Sequence, residues 1–372
     1  MKVPFSDLGL AHGEIRKEMP AAIHKVIRRG DFILGQEVKT FEEEFARFCN
    51  VPFAVGVSSG TAALFLALVA LGIEEGDEVI VPDFTYIATA MAVSYAGAKP
   101  VFVDIDEDTY NMNVSQIARA ITINTKAIIP VHLYGQPADM PEILKVAKRH
   151  KLQVIEDAAQ AHGAGFRRTG GWIQAGEMGV VGCFSFYPSK NLGGLGDGGL
   201  LVTRDEKIFR KLKILRDCGR ISKYEHPVIG YNSRLDTLQA AVLRVKLKKL
   251  NTWNEMRIKN ARAYGRYFAG VDEVITPYAA EGVRHVYHVY AIRTRKRDKV
   301  FRRLQEKGIG AIIHYPIPLH LQKAYVDLKY RRGDFPVSEK VCQEIISLPM
   351  FPHLKEKQIR FVVETVKEAL KK

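Results

Sequence analysis

The chain has 372 residues, 47% hydrophobic and 26% charged, with no low-complexity tract; this excludes fibrous and disordered classes and allows two domains of about 100–200 residues. With 55 basic and 41 acidic residues the net charge is +14, which favours an anionic partner: nucleic acid, a phosphorylated metabolite or a membrane surface. The longest apolar run, "AALFLALVALGI" (62–73), is short of the roughly 20 residues that span a bilayer, no signal-peptide pattern is evident, and four scattered cysteines without a CxxC pair fit a reduced, cytoplasmic protein.

From about residue 50 strand-like and helix-like segments alternate. Short Val- and Ile-rich runs at 78–82, 99–106, 126–133 and 152–157 are separated by helical patterns near 60–71, 85–96, 114–121 and 138–149. Near-continuous apolar strands spaced by helices predict an α/β fold with a mostly parallel sheet covered on both faces. Two further strands, 181–187 and 199–203, flank a lysine and a glycine-dense loop. Helices follow at about 234–250 and 254–269. Beyond them the texture changes: "HVYHVYAIRT" (285–294), a helix near 298–307, "AIIHYPIP" (311–318) and a terminal helix near 355–371 read as a smaller α+β unit. The expected division is therefore 1–250 and 251–372.

Three segments carry chemistry. In "VSSGTAALFLALVALG" (57–72), Ser58, Ser59 and Gly60 lead into Thr61 and a helix, whose free N–H groups and dipole suit an anion. A plain Ser or Thr cap is the bland alternative. In "QVIEDAAQAHGA" (153–164) a strand ends in Glu156 and Asp157, where open α/β sheets bind ligands, and Gln160 and His162 follow within two turns. In "FSFYPSKNLGGLGDGGL" (184–200), Lys190 precedes a loop in which Gly193, Gly194, Gly196, Gly198 and Gly199 bring backbone close to something. "GLGDGG" matches the dinucleotide fingerprint in letters only, because it opens onto a strand and not a helix. Together, an anion-binding helix start, a strand-end carboxylate and a lysine are what pyridoxal phosphate requires: an amine for its aldehyde and an acid for its ring nitrogen.

These residues, with "EVIVPDFTYIATA" (78–90), "PVHLYGQPADM" (130–140), "YNSRLDTLQAA" (231–241) and "HYPIPLHLQKAY" (314–325), resemble the DegT/DnrJ/EryC1/StrS family. The resemblance runs along nearly the whole chain. It implies a pyridoxal-phosphate aminotransferase of fold type I, with a smaller C-terminal α+β domain, acting on nucleotide-linked keto sugars. It puts Lys190 at the Schiff-base position, Asp157 at the ring nitrogen and Gln160 at the ring hydroxyl. Gly60, Thr61 and Ser185 match the phosphate site, and Tyr86 the ring stacked on the cofactor. Asn232 matches a side chain lent to the phosphate by a neighbouring subunit, which implies a homodimer with shared active sites.

The resemblance further implies L-glutamate as amino donor. The keto sugar looks most like a dTDP-3-keto-6-deoxyhexose, with a 4-keto sugar as the alternative. Arg220, Lys223 and Tyr224 are candidates for the sugar's diphosphate, and His162, His314 and Tyr315 for its neighbourhood. A lysine at 190 argues against the family's sugar dehydratases, which carry histidine there. Asp83, where relatives have a small residue, and the altered loop 165–179 are the departures. Short basic runs such as "RTRKR" (293–297) belong to solvated faces, and no nucleic-acid module is visible. His285 and His288 form HxxH, but on a strand they face opposite ways, so no metal is expected.

Overall fold

The computed structural model describes residues 1–371. Three helices open the chain: α1 (Leu8–Glu14), α2 (Glu18–Arg29) and α3 (Gln36–Phe48). The alternating region follows as β1 (Phe53–Val57), α4 (Gly60–Ala70), β2 (Glu78–Pro82), α5 (Ala88–Tyr95), β3 (Lys99–Val103), α6 (Val114–Ala120) and β4 (Thr125–Ile128). It continues through α7 (Met140–His150), β5 (Gln153–Asp157), a hairpin of β6 (Gly165–Arg168) and β7 (Gly171–Gln174), β8 (Val181–Ser185), β9 (Gly199–Thr203) and α8 (Glu206–Leu215). The remainder comprises α9 (Thr237–Phe268), β10 (Val283–Arg284), β11 (Tyr290–Arg293), α10 (Arg297–Glu306), α11 (Pro336–Glu344), β12 (Ile345–Leu348) and α12 (Glu356–Lys371).

A seven-stranded sheet in the order β1-β9-β8-β5-β4-β2-β3 is the centre. All its pairings are parallel except the two made by β9. Strand residues alternate between two cores. Val55, Val57, Val79, Val81, Cys183 and Leu201 pack with α4, α5 and α8. Ala54, Phe184, Leu200 and Val202 face α3 and α9, and Ile80, Val103 and Ile128 face α6 and α7. The period of two thus buries both faces, as the apolar runs predicted. Helix α4 has hydrophobic residues all round and is buried nearly all round. Phe41, Phe45, Phe184 and Phe186 form an edge-to-face cluster under β8, each ring contributing about 2–3 kcal/mol by burial.

Several expectations are corrected. The helices expected at 234–250 and 254–269 are one 32-residue helix, because no proline or glycine interrupts the chain before Gly265 and Trp253 and Asn254 are buried at the supposed gap. The expected boundary at 250 falls inside it. Val3 bridges to Ile309 and lies in the core formed by α9, α10, α12 and the β11–β12 pair, so the first residues pack with the last third of the chain. Only 290–293 of the 285–294 run is strand, and 311–318 contributes one bridge, Ile312 to Ser347. The loop 165–179 holds the β6–β7 hairpin, turned at Gly170 with φ of 86° and joined by β10. No helix among the described residues is long and apolar enough to cross a membrane.

Candidate active site

The parallel strands deliver their carboxyl ends to one edge, where a cavity of about 470 Å³ opens. Helix α4 begins there. Ser59 caps it by accepting from the Ala62 N–H at 3.1 Å, and Ala63 bonds the Ser59 carbonyl; the N–H groups of Gly60 and Thr61 have no hydrogen-bond partner among the described residues, and both residues line the cavity. A Cβ on Gly60 would stand 2.6 Å from the Ser185 Cβ, so only glycine lets the Ser185 hydroxyl share this corner. These groups form an anion cradle.

Asp157 ends β5 and occupies the cavity floor. Its Oδ2 accepts from Thr89 Oγ1 at 2.8 Å and its Oδ1 from the Ala159 N–H at 3.2 Å. Burial raises its pKa, with the Thr89 hydrogen bond opposing. Period two sends its neighbour Glu156 the other way. There Glu156 accepts from the N–H groups of Gly176, Met178 and Gly179 at 2.8, 2.7 and 2.5 Å and pairs with His132 Nε2 at 2.9 Å. Glu156 thus holds the loop behind the sheet, and Asp157 alone faces the site.

Lys190 sits in a turn after β8, with its N–H donating to the Tyr187 carbonyl at 2.9 Å. Its amine has no hydrogen-bond or ion-pair partner among the described residues and shares the cavity with Asp157. Burial lowers its pKa to about 8, and the Asp157 charge limits the drop. Gln160 Nε2 donates to the Tyr315 hydroxyl at 3.2 Å and its Oε1 accepts from the Tyr134 N–H at 2.7 Å. Tyr86 is 58% exposed at the mouth, 6.2 Å from the Tyr315 ring. His314 Nδ1 meets Ser347 Oγ at 2.8 Å, and burial, then the Lys190 charge, lowers its pKa to about 4.

The glycines after Lys190 let protein approach protein. A Cβ on Gly199 would fall on the Ser59 carbonyl, one on Gly193 on the Pro188 carbonyl, and one on Gly198 against Leu235. Asp197 is the loop residue on the cavity.

The chain belongs to the DegT/DnrJ/EryC1/StrS aminotransferase family. The family's sequence profile matches residues 13–367. Three relatives are each 46% identical over 99% of the chain. They are a pleiotropic regulatory protein of Geobacillus stearothermophilus, dTDP-3-amino-3,4,6-trideoxy-alpha-D-glucose transaminase of Streptomyces venezuelae, and UDP-N-acetyl-3-dehydro-alpha-D-glucosamine 3-aminotransferase of Acidithiobacillus ferrooxidans, covered over 98%, 96% and 98% of their lengths. DesV of S. venezuelae, solved in complex with a ketimine intermediate, superposes with a TM-score of 0.96 at 44% identity, over 100% of this chain and 99% of that one. NtdA of Bacillus subtilis, solved with bound cofactor PMP, gives 0.91 at 31%, over 100% and 86%.

Gly60, Thr61, Tyr86, Asp157, Gln160, Ser185, Lys190, His314 and Tyr315 therefore come together on one cavity of this aminotransferase. His162 does not. It is fully buried behind Lys190, against Phe184 and Phe186 with ring centroids 5.4 and 5.8 Å away, and its pKa is lowered to about 3 by burial and then by the Lys190 charge. Arg220, Lys223 and Tyr224 also lie off this chain's cavity. Arg220 Nε pairs with Asp217 at 2.6 Å, and Lys223 lies over the Tyr224 ring, which is 83% exposed. Asn232 is exposed on the same side of the chain, bridged to Asp217. Sequence reasoning missed Thr89 and His288 as cavity residues. Thr85, just before α5, and Thr89, in its first turn, stand four residues apart in "TYIATA" with their hydroxyls 3.2 Å apart, a spacing the sequence displays. Asp83, the noted departure, pairs with His320 Nδ1 at 2.7 Å and is fully buried, away from the cavity lining.

Proposed function

We propose that this chain moves an amino group from an amino acid, L-glutamate, to C3 of a nucleotide-linked keto sugar, a dTDP-3-keto-6-deoxyhexose, giving a 3-amino sugar. One observation carries the reading: a lysine amine of lowered pKa shares a cavity with a buried carboxylate and a free helix N-terminus, in a chain of this family. Relatives named for amination at C3 of dTDP- and UDP-linked sugars support the carbon.

Pyridoxal phosphate is the cofactor, and when bound it supplies an electron-withdrawing ring that stabilises negative charge at the carbon losing its proton. The residues present fit it. The Gly60 and Thr61 N–H groups and the Ser185 hydroxyl would hold its phosphate, Tyr86 would cover a ring face, Gln160 would meet the ring hydroxyl, and Asp157 would keep the ring nitrogen protonated. Lys190 Nζ would anchor the aldehyde and, once displaced by the donor's amine, take a proton from the donor's α-carbon and return it two atoms away, on the carbon across the transferred nitrogen. Repeated in reverse on the sugar, the same transfer delivers the amine.

A homodimer accounts for the remaining residues. The loop 219–230 exposes Ile221, Tyr224, Val228 and Ile229, an apolar patch beside Asn232 that a second copy would cover. Asn232, Arg220, Lys223 and Tyr224 would then serve the partner's cavity, the basic pair meeting the sugar diphosphate. The residues that would hold the cofactor all precede 250, and the smaller unit would be built from the chain beyond the middle of α9 together with the first residues. Four free cysteines fit a cytoplasmic protein.

Borohydride reduction of the pure protein followed by peptide mapping should place a pyridoxyl group on Lys190, and Lys190→Ala should lose both the adduct and amino transfer. Purified protein with L-glutamate should then turn over the 3-keto sugar; turnover of the 4-keto isomer alone would reassign the carbon, and no adduct would reject the site.

A further inference from the structure

His288 lines the cavity beside Lys190, and the backbone before it is held in a sparsely populated conformation. Tyr287 has φ of +44°, a left-handed setting unusual for a bulky residue. Three contacts hold it there. The Tyr287 ring stacks flat on His285, centroids 3.9 Å apart at 4°, the Tyr287 N–H donates to His285 Nδ1 at 3.0 Å, and Arg257 donates to the Tyr287 and His288 carbonyls at 3.3 and 3.4 Å. Backbone strain so firmly over-determined points to a side chain that must be aimed.

A chain of buried amides fixes what the aimed ring presents. On helix α9, Asn254 Nδ2 donates to the His162 carbonyl at 2.7 Å, which leaves Asn254 Oδ1 as an acceptor. It accepts from Asn191 Nδ2 at 2.8 Å, and the same Nδ2 donates to the Val286 carbonyl at 3.1 Å. Asn191 Oδ1 is then an acceptor as well, 3.2 Å from His288 Nδ1. Only an Nδ1–H satisfies it, so His288 Nε2, for which no hydrogen bond is formed among the described residues, carries a bare lone pair on a ring that lines the cavity. Burial, then the Lys190 charge, pushes the His288 pKa well below the ordinary range, so the ring stays neutral.

We propose that His288 is a specificity-determining acceptor: its Nε2 receives a hydrogen bond from a hydroxyl of the sugar substrate, and Asn191 and Asn254 hold it in the Nδ1–H form. A fixed lone pair welcomes a hydroxyl and repels a carboxylate, so this residue serves the sugar half-reaction and not the amino-acid donor. The inference rests on reading the cavity as the aminotransferase site.

Two measurements test it. In cofactor-stripped protein labelled with ¹⁵N-histidine, the His288 resonances, assigned by their loss in His288→Gln, should show a protonated Nδ1 and a bare Nε2; a proton on Nε2 overturns the proposal. In the loaded enzyme the two half-reactions are followed separately, with L-glutamate as donor and with dTDP-3-amino-3,6-dideoxyglucose for the sugar side in reverse. His288→Phe should slow the sugar half-reaction about tenfold relative to the donor half-reaction, and His288→Gln, whose Oε1 can accept, should restore most of that ratio. Equal slowing of both halves, or an unchanged ratio, overturns it. Failure of the underlying site reading looks different: the wild type would then perform neither half-reaction.

Discussion

The free amine of Lys190 permits a direct test of the electrostatics at the site, independent of turnover. With a pKa of about 8, about 9% of the amine is neutral at pH 7, against about 0.03% for a lysine at 10.5, a gain of about 300-fold in nucleophilic form. Competitive acetylation of cofactor-stripped protein, read by mass spectrometry at the Lys190 peptide, follows that fraction as pH is varied. The labelling rate should climb about tenfold per pH unit up to pH 8 and then level off, while exposed lysines keep climbing. Asp157→Asn removes the nearby charge that favours the ammonium form, so its plateau should arrive at lower pH. A Lys190 rate that still rises tenfold between pH 8.5 and 9.5 would refute the reasoning, because the amine would then be an ordinary solvated one.

Two further outcomes follow from the packing. Gly199→Ala sets a Cβ on the Ser59 carbonyl and should cost about 2–3 kcal/mol in urea unfolding and weaken cofactor binding, whereas Gly196→Ala, which meets only the end of the Gln239 side chain, should cost less than about 1 kcal/mol. His162 and His285, both with pKa values lowered to about 3 by burial, resist protonation when folded and accept it when unfolded; their stability contribution is complete above pH 6.5 and is lost as pH falls toward 3. By pH 5 each should cost about 2 kcal/mol relative to pH 7.5, and His162→Leu should shrink the stability difference between the two pH values, read by urea unfolding, by about 2 kcal/mol, the other buried histidines supplying the remainder.

What the sequence made legible follows from where the physics is local. A strand buried on both faces needs apolar residues throughout, so β2, β5 and β9 could be read within a residue or two, and Asp157 stood out as the acid that ends such a run. Lys190 became legible through its company, because an amine, a strand-end acid and a helix start have one common use. What stayed hidden depends on partners distant in sequence. The glycines at 193–199 showed that backbone comes close to something but not to what, because their steric neighbours, Ser59, Pro188, Leu235 and Gln239, are mostly far along the chain. His162 and His288 show the same limit in opposite directions. Each is a histidine near apolar residues, yet the first turns into a nest of phenylalanines while the second is aimed at the cavity by a left-handed tyrosine and two asparagines from elsewhere. Residue type assigns a chemical capacity, and the fold decides whether that capacity faces a substrate. In this chain the decision passes through helix α9, whose long uninterrupted run was read as two helices. That error concealed how Gln239, Lys246 and Asn254, spaced by seven and eight residues along one face, brace the turn that bears Lys190: Gln239 accepts from the Leu195 N–H, Lys246 donates to the Gly193 carbonyl at 2.5 Å, and Asn254 accepts from Asn191.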